Sequence, residues 1–127
     1  MSYKYVLDAS AVLALLHDEP GAKVVSSHFA ESVISTVNLA EVATVLNKAG
    51  MPESEIREVF QELDLATHVY GYDAAIATGG IRALTAPKGL SLGDRACLMT
   101  AKEKNCIALT TDSLLEPGFF RQFASDL

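Results

Sequence analysis

The sequence predicts an α/β fold, a three-layer α/β/α sandwich in which helices cover both faces of a central, mainly parallel sheet. Short apolar runs alternate with segments of helical periodicity along the chain, which is the pattern of successive β–α units. Half of the 127 residues are hydrophobic and 20% are charged, an ordinary globular composition that supplies enough apolar side chains for a core. The length fits one compact domain, so we expect residues 1–127 to form a single domain.

The first half of the chain predicts two strands and four helices. A short strand, YKYVLDAS, ends at Asp8 and is followed by the helix SAVLALLHDE, with Ser10 as the expected N-cap and Pro20-Gly21 as the expected end. The helix AKVVSSHFAE precedes the second strand, SVIST. The next two helices are VNLAEVATVLNKAG, whose apolar residues recur at helical spacing, and PESEIREVFQELD, which begins at Pro52.

The second half continues the alternation. LATHVY predicts the third strand, and YDAAIATGGIRALT predicts a helix weakened by Gly79 and Gly80, each costing about 1 kcal/mol relative to alanine. APKGL predicts a loop, SLGDRACLMTAKEKN a helix and CIALTTD the last strand. The remaining residues, including FFRQF, are expected to form a short tail.

Charge and composition indicate where the protein is found in the cell and which kinds of binding site it is expected to have. No stretch approaches the roughly 18–20 apolar residues of a membrane helix. The N-terminal MSYKYVLDAS is unlike a signal peptide, so we expect a cytoplasmic protein without membrane contact. The formal net charge of −6 taken alone argues against nucleic-acid binding, although acids clustered around a cation would give the same count. Cys97 and Cys106 are expected to be reduced core residues, and the three histidines show no zinc spacing.

Four acidic residues fall where strands end and helices begin. Asp8 and Asp112 end the first and last strands, whereas Glu41 and Asp94 lie in the first turns of the helices that follow SVIST and KGLS. In a parallel sheet these positions share one edge, and active sites lie at that edge. The four carboxylates are therefore expected to face one crevice, although they are far apart in sequence.

Each acid also has a purely structural interpretation. Asp8 is compatible with a cap before a helix, Glu41 with a solvent-facing position, Asp94 with the favourable field of a helix N-terminus and Asp112 with a turn that includes Ser113. The four structural interpretations weaken when taken together. Every acid interrupts an apolar segment, and all four fall at the one edge where function normally lies.

Close carboxylates cannot all stay ionised without compensation, because their repulsion raises some of their pKa values. A divalent cation removes this conflict, and oxygen ligands without His or Cys favour Mg²⁺ or Mn²⁺ over zinc. Such a site suits hydrolysis of a phosphodiester. Four polar residues fit the same crevice as accessory groups: Ser10, Asn38, Arg95 and Thr110.

Four blocks of the sequence resemble PIN-domain ribonucleases, specifically the VapC type of toxin from bacterial toxin–antitoxin pairs. The blocks are VLDASAVLALLHDEPGA, ISTVNLAEVATVL, KGLSLGDRACLMTA and ALTTD, and the resemblance runs from Tyr5 to about Phe120. By this resemblance the acidic quartet that binds Mg²⁺ or Mn²⁺ is matched by Asp8, Glu41, Asp94 and Asp112. Accessory polar positions of the family are matched by Ser10, Asn38 and Thr110.

The resemblance implies an activity and a set of partners. It implies a metal-dependent endoribonuclease that cleaves structured RNA, such as tRNA or ribosomal RNA, and inhibits translation until an antitoxin of the VapB type neutralises it. The antitoxin of such a pair inserts an extended or helical segment into the active-site groove. The resemblance further implies a homodimer, a heterotetramer or larger assembly with the antitoxin, and contact with DNA only through the antitoxin.

The sequence departs from the family after Asp112. There the family often continues with a basic residue and an aromatic, whereas this chain reads DSLLEPGFF, which puts substrate contacts at that point in doubt. The basic residues that remain as candidate phosphate contacts are Lys4, Arg82, Lys88 and Arg95.

Other functions remain as alternatives. A PIN-like fold with little catalytic activity would act as a binding module within an antitoxin complex that represses its own operon. A haloacid-dehalogenase-like phosphatase would need a second Asp two positions after Asp8, where this chain has Ser10. A phosphoacceptor receiver domain would need a central Asp with a downstream Lys, and no such pair is convincingly placed.

Overall fold

The computed structural model describes residues 2–112 and 117–127. In these residues four parallel strands form one sheet in the order β3-β2-β1-β4. The strands are β1 (Tyr5–Leu7), β2 (Ser32–Ser35), β3 (Ala66–His68) and β4 (Ile107–Leu109). The helices flank this sheet, so the predicted three-layer α/β/α fold is confirmed.

Eight α-helices lie within the described residues. They are α1 (Ala9–His17), α2 (Ala22–His28), α3 (Thr36–Lys48), α4 (Glu53–Leu63), α5 (Tyr72–Gly80), α6 (Arg82–Thr85), α7 (Leu92–Lys104) and α8 (Pro117–Asp126). Short 3₁₀ turns at Phe29–Glu31 and Ala86–Lys88 complete the connections. None of these helices has the length and apolar character needed to span a bilayer.

The central strand β1 separates two cores. Its successive side chains point to opposite faces of the sheet, and neither Val6 nor Leu7 is exposed. Val6 packs in a cluster with side chains of α7 and α8, whereas Leu7 packs in a second cluster with side chains of α1 to α4. Because both faces are covered, the strand is apolar throughout rather than alternating.

The parallel register brings the ends of three strands to one edge. Leu7 of β1 pairs with Ile34 of β2 on one side and with Leu109 of β4 on the other. The residues that follow these positions are polar, namely Asp8, Ser35 and Thr110. The candidate site is therefore built at the carboxyl edge of the sheet.

The first helix differs from its prediction at both ends. Asp8, not Ser10, is the N-cap of α1: its backbone is extended and its side chain accepts a hydrogen bond from the backbone N–H of Ala11. Asp is as good a cap as Ser, and here it directly follows the strand, so Ser10 is already inside the helix. The helix ends at His17, where Asp18 takes the left-handed conformation, rather than at Pro20-Gly21.

Two further predictions were wrong. The helix expected over YDAAIATGGIRALT is divided at Ile81 into α5 and α6, as two consecutive glycines weaken its middle. The expected tail is largely the helix α8, whose Phe123 and Ala124 pack on α7 and β4. Pro117 at the first helical position was the signal that would have indicated this helix.

Candidate active site

Asp8 is the most deeply buried of the candidate acids, with 4% of its surface exposed. Its Oδ1 accepts hydrogen bonds from the Ser10 hydroxyl at 2.7 Å and from the backbone N–H of Ala11 at 2.9 Å. Burial raises the pKa of Asp8 to about 6, although these two bonds and one from Thr110 lower it; the negative charge of Asp94 raises it further. At neutral pH Asp8 is therefore a buried carboxylate held by neutral donors.

Ser10 connects the ends of two neighbouring strands. Besides donating to Asp8, its hydroxyl oxygen lies 3.1 Å from Oγ1 of Thr110 and accepts from the backbone N–H of Thr111 at 3.0 Å. The Thr110 hydroxyl in turn accepts from the backbone N–H of Asp112 at 3.1 Å. The two predicted accessory hydroxyls thus lie beside Asp8 and tie the first strand end to the last.

Asn38 holds Glu41 at the edge of the sheet. Asn38 is fully buried, and its Nδ2 donates both to Oε1 of Glu41 at 2.8 Å and to the backbone carbonyl of Gly93 at 3.0 Å. Its Oδ1 accepts from the hydroxyl of Ser35, the N-cap of α3, at 2.9 Å. Glu41 is accordingly half-buried and hydrogen-bonded rather than solvent-facing, and burial raises its pKa, with a further contribution from Asp94.

Gly93 is a residue of the site that the sequence analysis did not single out. A Cβ at this position would occupy the place of the Glu41 carboxylate. The signal in the sequence was a glycine in the first turn of a predicted helix. Glycine lowers helix stability there, so its presence indicates that another group approaches the backbone closely.

Asp94 is a capping residue of α7 whose charge also acts on two of the other acids. It lies at the third position of α7 and completes a capping box: its Oδ2 accepts from the backbone N–H of Ser91 at 2.9 Å, and its own N–H donates to the Ser91 hydroxyl at 3.2 Å. Its charge also acts on Asp8 and Glu41. The cap fixes the backbone that carries this carboxylate.

Removing the Ser91 hydroxyl should separate these roles. We expect Ser91→Ala to lower the free energy of unfolding by about 1 kcal/mol, because the N–H of Asp94 loses its acceptor at the start of α7. Urea denaturation monitored by circular dichroism measures this change. A variant as stable as the wild type would contradict the capping role.

Three of the four acids lie around one buried thiol. Burial raises the pKa of Cys97 well above its usual range, and the charges of Asp8, Asp94 and Glu41 add to this effect, in that order. Asp112 is brought to the same edge through its backbone bond to Thr110, while Ser113, its suggested turn partner, lies outside the described residues. Both cysteines are free thiols; Cys97 is buried, whereas Cys106 is only partly buried.

The acids at the sheet edge fit a known family of proteins. The family model described as "PIN domain" matches residues 5–116 of the chain. The chain belongs to the PIN-domain family. PIN domains are generally nucleases and usually bind divalent metal ions.

A solved structure supports the fold of this PIN domain. The chain is similar to the crystal structure of PAE2754 from Pyrobaculum aerophilum, with a TM-score of 0.62 and 14% sequence identity over 100% of both chains. A search of curated proteins finds no sequence that matches. At this identity the structural likeness bears on the fold alone.

The donors of this PIN domain fit a hard divalent cation. Asp8 is a buried carboxylate bonded only by neutral donors in the contacts described above, with the charges of Asp94 and Glu41 nearby, so a cation would relieve their repulsion. Within residues 2–112 and 117–127, however, no three His, Cys, Asp or Glu side chains are placed to hold one ion. Mg²⁺ needs only one or two direct carboxylates and keeps several waters, so the donor set fits this ion.

The basic residues predicted to contact phosphate lie in different places. Arg95 donates from Nη1 to the carbonyl of Thr78 in α5 at 3.1 Å, so it bridges two helices of the PIN domain. Lys4 precedes β1 at the amino edge of the sheet and forms an ion pair with Glu31 at 3.1 Å. Lys4 therefore lies away from the edge that carries the acids, and its contact with phosphate stays a prediction. Arg82 and Lys88 are exposed, and the segment DSLLEPGFF after Thr111 falls mostly outside the residues whose side chains are described.

Proposed function

We propose that this PIN domain is an endoribonuclease dependent on Mg²⁺ or Mn²⁺, and that it acts as the toxin of a VapC-type toxin–antitoxin pair. The single observation that carries the nuclease proposal is the state of Asp8. It is a carboxylate with 4% exposure, held by hydroxyl and amide donors, beside the charge of Asp94 at the carboxyl edge of a parallel sheet.

The proposed roles of the acids follow from their burial and partners. Asp8 and Asp94 are assigned as direct ligands of the cation, because their charges interact and both are held by hydrogen bonds. Glu41 and Asp112 are proposed to bind water molecules that surround the cation. A bound Mg²⁺ or Mn²⁺ supplies a lowered pKa for water and neutralises charge on the phosphoryl oxygens.

The neutral groups of the site are assigned to orientation. Ser10 and Thr110 hold Asp8 with hydroxyl donors, and Asn38 holds Glu41. Arg95 is assigned to the packing of α5 on α7, since one of its nitrogens donates to Thr78. Phosphate contacts are assigned to Arg82 and Lys88, which are exposed.

The proposed biological setting rests on the sequence blocks that resemble VapC toxins. Under this proposal the substrate is structured RNA, tRNA or ribosomal RNA, and cleavage inhibits translation in the cytoplasm. The partners are a VapB-type antitoxin, which would insert a segment into the groove at the acids, and a second copy of this chain. The net charge of −6 is consistent with acids that a cation neutralises in the working site.

The rival function is a binding module within the antitoxin complex. The observation in its favour is that no three metal-binding side chains among the described residues already converge on one ion. It differs from the nuclease in one outcome, since a binding module would leave RNA intact at any metal concentration.

Removal of the metal should decide between the two functions. We expect metal-stripped protein to leave total RNA intact in chelator, and to cleave it after addition of Mg²⁺ or Mn²⁺, because a bound cation would lower the pKa of water and neutralise charge on the phosphoryl oxygens. Gel analysis and sequencing of the new RNA ends measure cleavage and name the target. Glu58→Gln, which changes an exposed acid on α4, is the matched control and should cleave like the wild type. Intact RNA under all metal conditions would refute the nuclease.

A further inference from the structure

Gly93 lies in the first turn of α7, where the carboxylate of Glu41 on α3 approaches that helix. Its carbonyl accepts a hydrogen bond from the fully buried Asn38, whose same nitrogen also donates to Glu41. On the other side of its Cα, the space that a Cβ would fill is taken by the carboxylate of Glu41. Helices α3 and α7 therefore meet at two points, the bond from Asn38 to Gly93 and the contact of Glu41 with Gly93, although Glu41 and Gly93 are separated by more than 50 residues of chain.

The other helical glycines whose surroundings the structure describes show no such contact. Gly79 and Gly80 of α5 have nothing within 4 Å of the place where a Cβ would stand. Glycine in a helix is unfavourable relative to alanine, so a helical glycine without a neighbour brings no compensating contact. Gly93 differs because a specific polar group fills the space that its missing side chain leaves.

We propose that Gly93 is a positioning residue: the gap left by its missing Cβ seats the carboxylate of Glu41 next to Asp94. The proposal rests on the proposed function, because it assigns this seat to the metal site. Two residues then fix the position of the Glu41 carboxylate: Asn38 donates a hydrogen bond to it, and Gly93 leaves the space that it occupies.

A side chain at position 93 would move Glu41 rather than unfold the protein. The atoms that a Cβ would meet belong to the far end of a flexible side chain, which can rotate away at small cost. Rotation breaks the 2.8 Å bond to Asn38 and moves the carboxylate from the position in which the charge of Asp94 acts on it. The variant Gly93→Ala is accordingly expected to fold and to lose the geometry of the site.

The first experiment measures Mn²⁺ binding to the metal-stripped full chain by calorimetry. We expect Gly93→Ala to weaken binding about 10- to 100-fold, the usual effect of disturbing a group that orients a metal ligand. Gly79→Ala is the matched control, because it makes the same substitution in a helix where nothing lies within 4 Å, and its Mn²⁺ affinity should be unchanged. Wild-type affinity in Gly93→Ala, together with loss of binding in Asp94→Asn, would overturn the positioning role and leave the proposed function standing.

The second experiment needs no metal. Melting temperatures are compared for Gly93→Ala in the wild-type and Glu41→Ala backgrounds, in the presence of chelator. With Glu41 removed, Gly93→Ala should raise the melting temperature as Gly79→Ala does; with Glu41 present, the gain should be smaller or reversed. Equal changes in melting temperature in both backgrounds would contradict the proposal that Gly93 makes room for the Glu41 carboxylate. If the wild type binds no Mn²⁺, the proposed function fails, while this comparison still decides whether Gly93 seats Glu41.

Discussion

Replacing Asp94 with asparagine should abolish RNA cleavage while leaving the fold intact. The Asn side chain keeps an oxygen that accepts from the backbone N–H of Ser91, so the start of α7 keeps its cap. What the variant loses is the negative charge that interacts with Asp8 and Glu41 and that we assign to the cation. We expect cleavage to fall by more than about 100-fold, since even groups that only orient a metal ligand contribute 10–100-fold.

Two measurements on Asp94→Asn test this result. Cleavage of total RNA under single-turnover conditions with Mn²⁺ gives the loss of rate, and calorimetry gives the loss of Mn²⁺ affinity. Ser91→Ala is the complementary control, because it weakens the cap but keeps the carboxylate, and it should bind Mn²⁺ at temperatures below its unfolding transition. Undiminished cleavage or Mn²⁺ binding by Asp94→Asn would remove Asp94 from the metal site.

Replacing Asp8 with asparagine should stabilise the protein at neutral pH and abolish its activity. The folded-state pKa of about 6 lies above the value of 3.8 expected in the unfolded chain. Between these values the folded chain holds a proton that the unfolded chain releases, so the free energy of unfolding falls as the pH rises from about 4 to about 6. Above that window the ionised Asp8 costs about 3 kcal/mol, at 1.36 kcal/mol per pKa unit.

The stabilisation by Asp8→Asn should therefore depend on pH. Urea denaturation in chelator should show a difference from the wild type of up to about 3 kcal/mol at pH 7 that shrinks towards pH 4, where the wild-type carboxyl group is neutral. The Asn oxygen can still accept from Ser10 and Ala11, whereas the hydroxyl of Thr110 loses a carboxylate acceptor, so the gain stays below the full cost of the charge. A pH-independent difference for Asp8→Asn would contradict the raised pKa.

Added Mn²⁺ should reverse the order of stability. A cation that binds only the folded state stabilises it by mass action, and Asp8→Asn has lost a proposed ligand. We therefore expect the wild type to gain stability with Mn²⁺ and the variant to gain little. Asp8 would then lower the stability of the metal-free protein and raise its affinity for Mn²⁺.

The sheet and the location of the acids were predictable because their signals are local. Each strand is a short apolar run, and each candidate acid comes directly after a strand or within the first turns of a helix. Parallel pairing then places those positions at one edge without further information. The start of α1 was misplaced by two residues because Asp8 and Ser10 are both good caps, and only the backbone geometry distinguishes them.

The contacts within the site were not predictable, since they join distant parts of the chain. The bond from Asn38 to the carbonyl of Gly93 spans 55 residues, and the approach of Ser10 to Thr110 spans 100. No periodicity or spacing in the sequence encodes these distances. The bond from Arg95 to the carbonyl of Thr78 was not predictable for the same reason, because Thr78 lies on another helix.

The order of the strands has a consequence for the synthesis of this protein. Of the four strands β1 is made first, yet its neighbour β4 is made last. Asp8 obtains its bond from Thr110, and Ser10 its bond from Thr111, only when β4 has paired with β1. Until then one edge of β1 lacks its partner strand, and the hydroxyl of Ser10 lacks the N–H of Thr111. A chain still being translated, and still without residues 107–112, thus has an unfinished site.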